Sequence, residues 1–334
     1  MRRFKKVVGI DVAKETVVAS IYDGKEHKLM DLRNDPKSIE EELIRKKGLA
    51  KGETLIVMEN TGTYHLRIAC HLSEQLGYPV SIINPFVIKK FAERKLKRVK
   101  TDQVDAKLIA EYGMMEQEEI RIFRPKARAC YEIDSIIKTI DGFQGQVNGL
   151  LSRIENMNNL PYKDKEAERS LKRAIGALNR EIKKLEKRLE DIIDQNFKTE
   201  KEVLKKIPRV GSKLTAVVLG IFGRFENFER AKEVTSYIGI CPSPYISGKS
   251  VRGSGRISKR GNAFIRKTLY VCALSASRYN KGCKELYERM IENGKRKRVA
   301  LIAVANKLIR QIFGVLKNMR EYDPDYHAKV VTFS

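Results

Sequence analysis

Four acidic residues are placed where charge needs a reason. Asp11 sits inside the apolar run Val7-Val8-Gly9-Ile10-Asp11-Val12, and an acid there is costly unless something compensates it. Glu59 closes a second apolar run, Leu55-Ile56-Val57-Met58. Asp102 and Asp105 are three apart, so on a helix both leave the same face. Carboxylates brought together repel one another unless a hard cation neutralises them. Oxygen-only ligation suits Mg²⁺, with Mn²⁺ as the alternative. Two such ions about 4 Å apart can activate a nucleophile and stabilise the leaving oxygen at a phosphodiester. Taken singly, each acid reads as a strand end or a helix cap; the four in this order along the chain point to a metal.

A second constellation runs from Gly239 to Asn262. No acid occurs between Glu233 and Glu285, and the segment is rich in Gly, Ser, Lys and Arg. Its plain reading is a flexible basic loop that grips phosphates. Its sharper reading makes one serine a nucleophile, with Lys249, Arg252, Arg256, Lys259 and Arg260 receiving charge from the phosphate. Residue types alone do not choose among Ser243, Ser247, Ser250, Ser254 and Ser258. A third run, Lys89 to Lys100, is strongly basic and ends just before Asp102, so Lys95, Lys97, Arg98 and Lys100 are candidate phosphate contacts. Lys295-Arg296-Lys297-Arg298 is a further basic cluster. Lys205 to Ser212 is a glycine turn opening an apolar helix, Leu214–Phe222, and its Gly211 is a candidate phosphate contact. It resembles a helix-hairpin-helix turn with Arg209 in place of the usual first glycine.

These residues need elements to position them. Val7–Val12 and Thr16–Tyr22 read as strands, and Lys28–Leu32 as a third. Pro36 opens a helical stretch with Ile39, Leu43 and Ile44 on one face. Thr54–Met58 is a buried strand, His65–Leu76 a helix ended by Gly77, and Val80–Ile83 a strand. Residues 86–96 and 102–116 read as helices. Three leading strands followed by alternating helix and strand is the order of a ribonuclease H-like fold. From about 128 to 200, apolar residues at spacings of three and four give two long helices joined by a turn at Pro161. The second carries a heptad seam through Leu171, Leu178, Leu185 and Ile192, over about 33 Å. A mainly helical region follows.

Composition narrows the partner. The chain of 334 residues has a net charge of +25 and is 42% hydrophobic, which fits globular units with a polyanionic partner. A membrane partner fits poorly: no run of about 18 apolar residues is evident, and Asp11 interrupts the N-terminal apolar stretch. The five cysteines lack CxxC spacing and the four histidines are dispersed, so zinc and disulfides are not suggested. Reduced cysteines suit a cytoplasmic setting.

The segments Gly9-Ile10-Asp11-Val12-Ala13-Lys14, Met58-Glu59-Asn60-Thr61-Gly62, Lys100 to Ala106 and Ser247-Gly248 through Gly255 to Asn262 together resemble the DEDD transposases of bacterial insertion sequences. These are bridge-RNA-guided serine recombinases. The resemblance implies a RuvC-like catalytic domain (1–125), a coiled-coil hairpin (126–200) and a C-terminal transposase domain (201–325). It implies that Asp11, Glu59, Asp102 and Asp105 form the metal-binding DEDD set and that Ser247 forms a covalent phosphoserine link to DNA. It further implies donor and target DNA, a structured guide RNA, and a homo-oligomer, dimer or tetramer. Two rivals remain: a RuvC-like junction nuclease with no covalent intermediate, and a non-enzymatic nucleic-acid binder.

Overall fold

β-Branched residues favour a pleated surface, and the opening runs of valine and isoleucine build one. The computed structural model describes residues 4–60, 62–95, 101–243, 246–247, 251–252, 256–259 and 261–325. They divide into two units, Met1–Pro125 and Lys126–Ser334.

In the first unit, β1 (Lys6–Val12), β2 (Thr16–Tyr22), β3 (His27–Arg33), β4 (Thr54–Glu59) and β5 (Val80–Ile83) form one sheet in the order β3-β2-β1-β4-β5. β2 pairs antiparallel with β1 and β3, while β4 pairs parallel with β1 and β5. This mixed five-stranded sheet is the ribonuclease H-like order expected from the element sequence.

Alternation gives each strand two apolar faces. Val8, Ile10, Val12, Ile56 and Met58 join Ile39, Leu43, Ile68 and Leu72 in one core. Val7, Leu55 and Val57 face Ile88, Phe91, Leu108 and Ile109 in another. The first layer departs from the expected α-helices. Pro36–Ser38 passes into a π-helix at Ile39–Arg45, and Leu66–Cys70 into another at His71–Gln75. The wider turn is visible in Lys46 N–H donating to Glu41 O and Leu76 N–H to His71 O. It keeps Ile39, Leu43 and Ile44 all buried.

The second unit starts from two long helices, Arg128–Asn158 and Lys165–Asn196. Asp164 caps the second by accepting from Ala167 N–H at 2.6 Å. That helix has 32 residues, hence about 48 Å rather than 33 Å, because it continues past the apolar seam on both sides. Ile133, Ile137, Ile192 and Ile193 at the root of the hairpin enter the same core as Ser212–Phe222, Ala231–Ile238, Ala263–Tyr279 and Lys297–Asn318. Toward the tip Leu178 and Leu185 are only half-buried, and Leu151 and Leu160 are exposed.

One sequence expectation is corrected here. Lys297–Asn318 contains an 18-residue window with mean hydropathy 1.7, long and apolar enough to cross a membrane. It is a core helix: Val304, Ala305, Leu308, Ile309, Ile312 and Leu316 are buried, so its apolarity is spent on packing. The five cysteines are free, and burial pushes the Cys130 thiol up to about 11 and Cys283 to about 12.

Candidate active site

β1 and β4 run parallel with Ile10 opposite Met58. One step further along each strand come Asp11 and Glu59, so both acids leave the carboxyl ends of neighbouring central strands. Each is half-buried. Asp11 lies on the same face as Gly9, two residues back. That face carries the Asp102–Met115 helix, and Gly9 lets it approach directly. A Cβ on Gly9 would stand 2.3 Å from the Ala110 nitrogen and 2.4 Å from the Ala106 oxygen. Further along, a Cβ on Gly113 would lie 2.7 Å from Val57 and 2.8 Å from Val7. The helix therefore runs antiparallel to β1, with its first turn at the Asp11 end. Thr101 caps it by accepting from Val104 N–H at 3.3 Å, which sets Asp102 and Asp105 in that turn. Acids are favoured there by the helix dipole.

Asp11 feels the charge of the other three carboxylates. Asp11 is raised to about 6, first by burial and then by the charges of Glu59, Asp102 and Asp105; the Val12 backbone N–H pulls weakly the other way. A hard divalent cation would relieve that repulsion, and an all-oxygen donor set fits one. Among the described residues, no three Asp, Glu, His or Cys side chains are drawn together closely enough to grip an ion as they stand. The acids share a field rather than a finished coordination sphere.

Sequence reasoning missed the residues that place these acids. Gly9 carried a readable signal, a glycine inside a strand two positions before an acid. Asn34 carried none: its side chain donates to Ala13 O at 2.7 Å and holds the turn that follows Asp11.

The basic candidates separate into groups. Lys95 ends the Pro85–Arg94 helix, with its ammonium paired to Glu111 and lying 4.9 Å over the Phe91 ring. Its charge is already engaged within the unit. Lys97, Arg98, Lys100, Lys249 and Arg260 lie outside the described residues. Gly211 caps the Ser212–Phe222 helix without a side-chain bond. The left-handed residue of that turn is Arg209, at φ 71°, whose guanidinium stacks 3.7 Å over Tyr279.

The described residues of the serine segment form two short ladders. Pro242–Ser243 pairs antiparallel with Arg256–Ile257, and inside it Ile246–Ser247 pairs with Val251–Arg252. Ser247 is the last paired residue before the hairpin tip. The base of this double ladder is fixed. Lys259 N–H donates to Gly239 O at 3.2 Å, and Lys259 itself is left-handed at φ 52°. Arg266 donates to Ile238 O at 2.8 Å and Gly261 O at 3.0 Å. A Cβ on Gly261 would lie 1.9 Å from Tyr237 O, at a φ of 139°. Asn262 then caps Ala263–Tyr279 by accepting from Phe264 and Ile265 N–H.

The relationships of the chain agree with this chemistry. A DEDD transposase family model matches residues 8–157, and the model described as Transposase IS116/IS110/IS902 family matches 201–288. The chain is 27% identical over 329 residues to a pilin gene-inverting protein of Moraxella lacunata, covering 97% of this chain and 99% of the relative. It is 24% identical over 287 residues to the transposase for insertion sequence element IS1111A of Coxiella burnetii, covering 74% of each. The first match contains all four acids and the second lies across the serine hairpin. A DEDD domain implies a divalent metal, and a transposase implies DNA as partner. The chain belongs to the IS110 family of DEDD transposases, enzymes that cut and rejoin DNA strands.

Proposed function

We propose that this transposase works by covalent serine chemistry, with Ser247 as nucleophile and Asp11, Glu59, Asp102 and Asp105 as the holders of Mg²⁺ or Mn²⁺. The convergence of four acids from two strand ends and one helix start on Asp11 carries the metal part of the reading. Bound there, the ion would supply Lewis-acid stabilisation of a phosphodiester.

For the serine, support comes from its place. Ser247 is paired with Val251 in the inner ladder and begins the Ser247-Gly248 step, in a segment without a single acid. Its Oγ would attack phosphorus, forming an Oγ–P bond as the bond to one deoxyribose oxygen breaks. The hydroxyl proton leaves and the released strand oxygen takes one up. Attack by the hydroxyl of an incoming strand reverses the exchange, so phosphodiester energy is conserved and no ATP is needed. Arg252, Arg256, Lys259 and Arg260 would offset charge on the phosphate. A relative named for inverting a pilin gene supports rejoining rather than hydrolysis, since inversion requires every cut end to be resealed.

The excess of +25 supports a polyanionic partner, and from the resemblance to bridge-RNA-guided recombinases we assign a structured guide RNA acting with donor and target DNA. The long hairpin, with Leu178 and Leu185 half-buried along its second helix and Leu151 half-exposed near its turn, supports a homo-oligomer assembled through it. Reaction on chromosomal DNA places the enzyme in the cytoplasm.

The decisive experiment incubates end-labelled DNA with protein, Mg²⁺ and the RNA flanking its element, then resolves the products on a denaturing gel. Wild type should give a protein–DNA adduct and joined product. Ser247→Ala should lose both and still bind DNA, while Ser254→Ala keeps some of each. Cleavage with no adduct in wild type would favour the junction nuclease.

A further inference from the structure

Arg209 and Tyr279 lie far from the acids and serines in sequence, and nothing above gives them a role. Arg209 takes the left-handed backbone that favours glycine, and its guanidinium carbon sits 3.7 Å from the centre of the Tyr279 ring. Tyr279 ends the Ala263–Tyr279 helix and remains 60% exposed. As a folding device this pairing gains little. A cation over an exposed ring is a weak contact, comparable to the cost of a left-handed non-glycine residue, and a ring left mostly in water contributes little burial.

The sequence beside the pair supplies cations. Tyr279 and Arg278 fall in the stretch without Asp or Glu between Glu233 and Glu285. Lys205 and Arg278 are exposed, and no carboxylate among the described residues pairs with them or with Arg209. Lys206 and Lys281, by contrast, are taken up by Glu321 and Asp325. A flat π surface covered on one side by a planar cation, with unpaired cations adjacent in sequence, matches a ligand that is flat and anionic at once. A nucleotide is such a ligand: its base stacks on an aromatic or guanidinium plane while its phosphate meets the cations. A base inside a duplex has no free face, so the ligand must be unpaired.

We propose that Arg209 and Tyr279 form a stacking platform for an unpaired nucleotide, with Lys205 and Arg278 contacting the flanking phosphates. The proposal takes from the family only that nucleic acid is the partner. It is independent of the roles given to Ser247 and the four acids.

The chain has no tryptophan, so Tyr279→Trp places the sole indole at the platform. Its emission and the anisotropy of labelled probes are followed together against single-stranded dT12, single-stranded rU12 and a blunt 12-base-pair duplex. Single strands should quench the indole saturably by half or more and the duplex should not; the ratio of the two single-strand affinities tells DNA from RNA. Tyr279→Ala should weaken single-strand binding about tenfold and leave duplex affinity within twofold. Arg209→Gly, which suits the backbone, should keep the thermal melt and weaken single-strand binding alone. The Ser247→Ala background should quench identically. Single-strand binding without quenching, or an equal loss for both probe types in Tyr279→Ala, would overturn the platform while leaving the transposase reading intact.

Discussion

The acids of the first unit and the serine of the second are positioned by different kinds of structure. Asp11 and Glu59 end two paired central strands, and Asp102 and Asp105 open a capped helix that packs on a glycine of one of those strands. Ser247 stands on a two-residue ladder inside another two-residue ladder, held among the described residues by contacts at its base that include Gly261, Arg266 and Asn262. Regular elements hold a repulsive cluster together because their own packing supplies the energy. A short hairpin cannot do that, so its aim depends on a few contacts at its root. The lesson is that damage should spread differently: through global stability in the first unit, through local geometry in the second.

The largest effect that sharpens this contrast is on Asp11. Asp11→Asn should lower strand cleavage by at least about a thousandfold, yet stabilise the fold. The sign follows from the raised carboxyl. Its charged form is disfavoured in the folded state, so the penalty is full above pH 6 and disappears as pH falls below about 4. In ion-free buffer at pH 7.5 the variant should gain about 1–2 kcal/mol, after allowance for partial exposure, and the gain should vanish near pH 4. Millimolar Mg²⁺ should raise the melting temperature of wild type and not of the variant. A variant less stable than wild type at pH 7.5 would make Asp11 a structural residue and undo the comparison.

Two glycines test the contrast directly. Gly9→Ala drives a Cβ into the backbone of the Asp102–Met115 helix and should cost about 3 kcal/mol in the first unit. Gly261→Ala meets Tyr237 O at a forbidding φ and should cost about 1–3 kcal/mol. Hydrogen exchange should show the first spread through the sheet and the second confined to the hairpin base, with the covalent adduct lost in both. Spreading in both would mean the hairpin is as integral to its core as the helix is to the sheet.

The smallest effect belongs to Arg266→Ala. It removes two charge-assisted bonds at the hairpin base and should cost about 1–2 kcal/mol, with adduct formation falling further than stability implies. Arg266→Lys should restore only part of it, since the shorter lysine side chain does not carry its ammonium to the position of Arg266 Nη1, which makes both bonds. Full activity in Arg266→Ala, with an unchanged melt, would show that the backbone ladders alone aim Ser247.

Much of the first unit was legible because its signals are local and periodic. β-Branched runs, Pro36 and the spacing of Asp102 and Asp105 follow from steric and helical geometry within a few residues, and they led to the element order of the sheet, to most of the helices and to four acids as candidates. The two long helices were legible for the same reason, although the 32-residue length of the second was not, because its ends carry no apolar seam. Tertiary packing alone decided the rest. Lys297–Asn318 is apolar enough for a membrane span, which the sequence reading did not pick out, and its packing makes it a core helix. Lys95 reads as a candidate phosphate contact, and the fold also pairs it with Glu111, sixteen residues on. Asp102 and Asp105 come within electrostatic reach of Asp11 because Gly9, which has no chemistry of its own, lets a helix backbone touch a strand. Sequence spacing determines which way neighbouring side chains point. Contacts between distant segments decide which charges meet, and those depend on close packing that no single run of residues encodes.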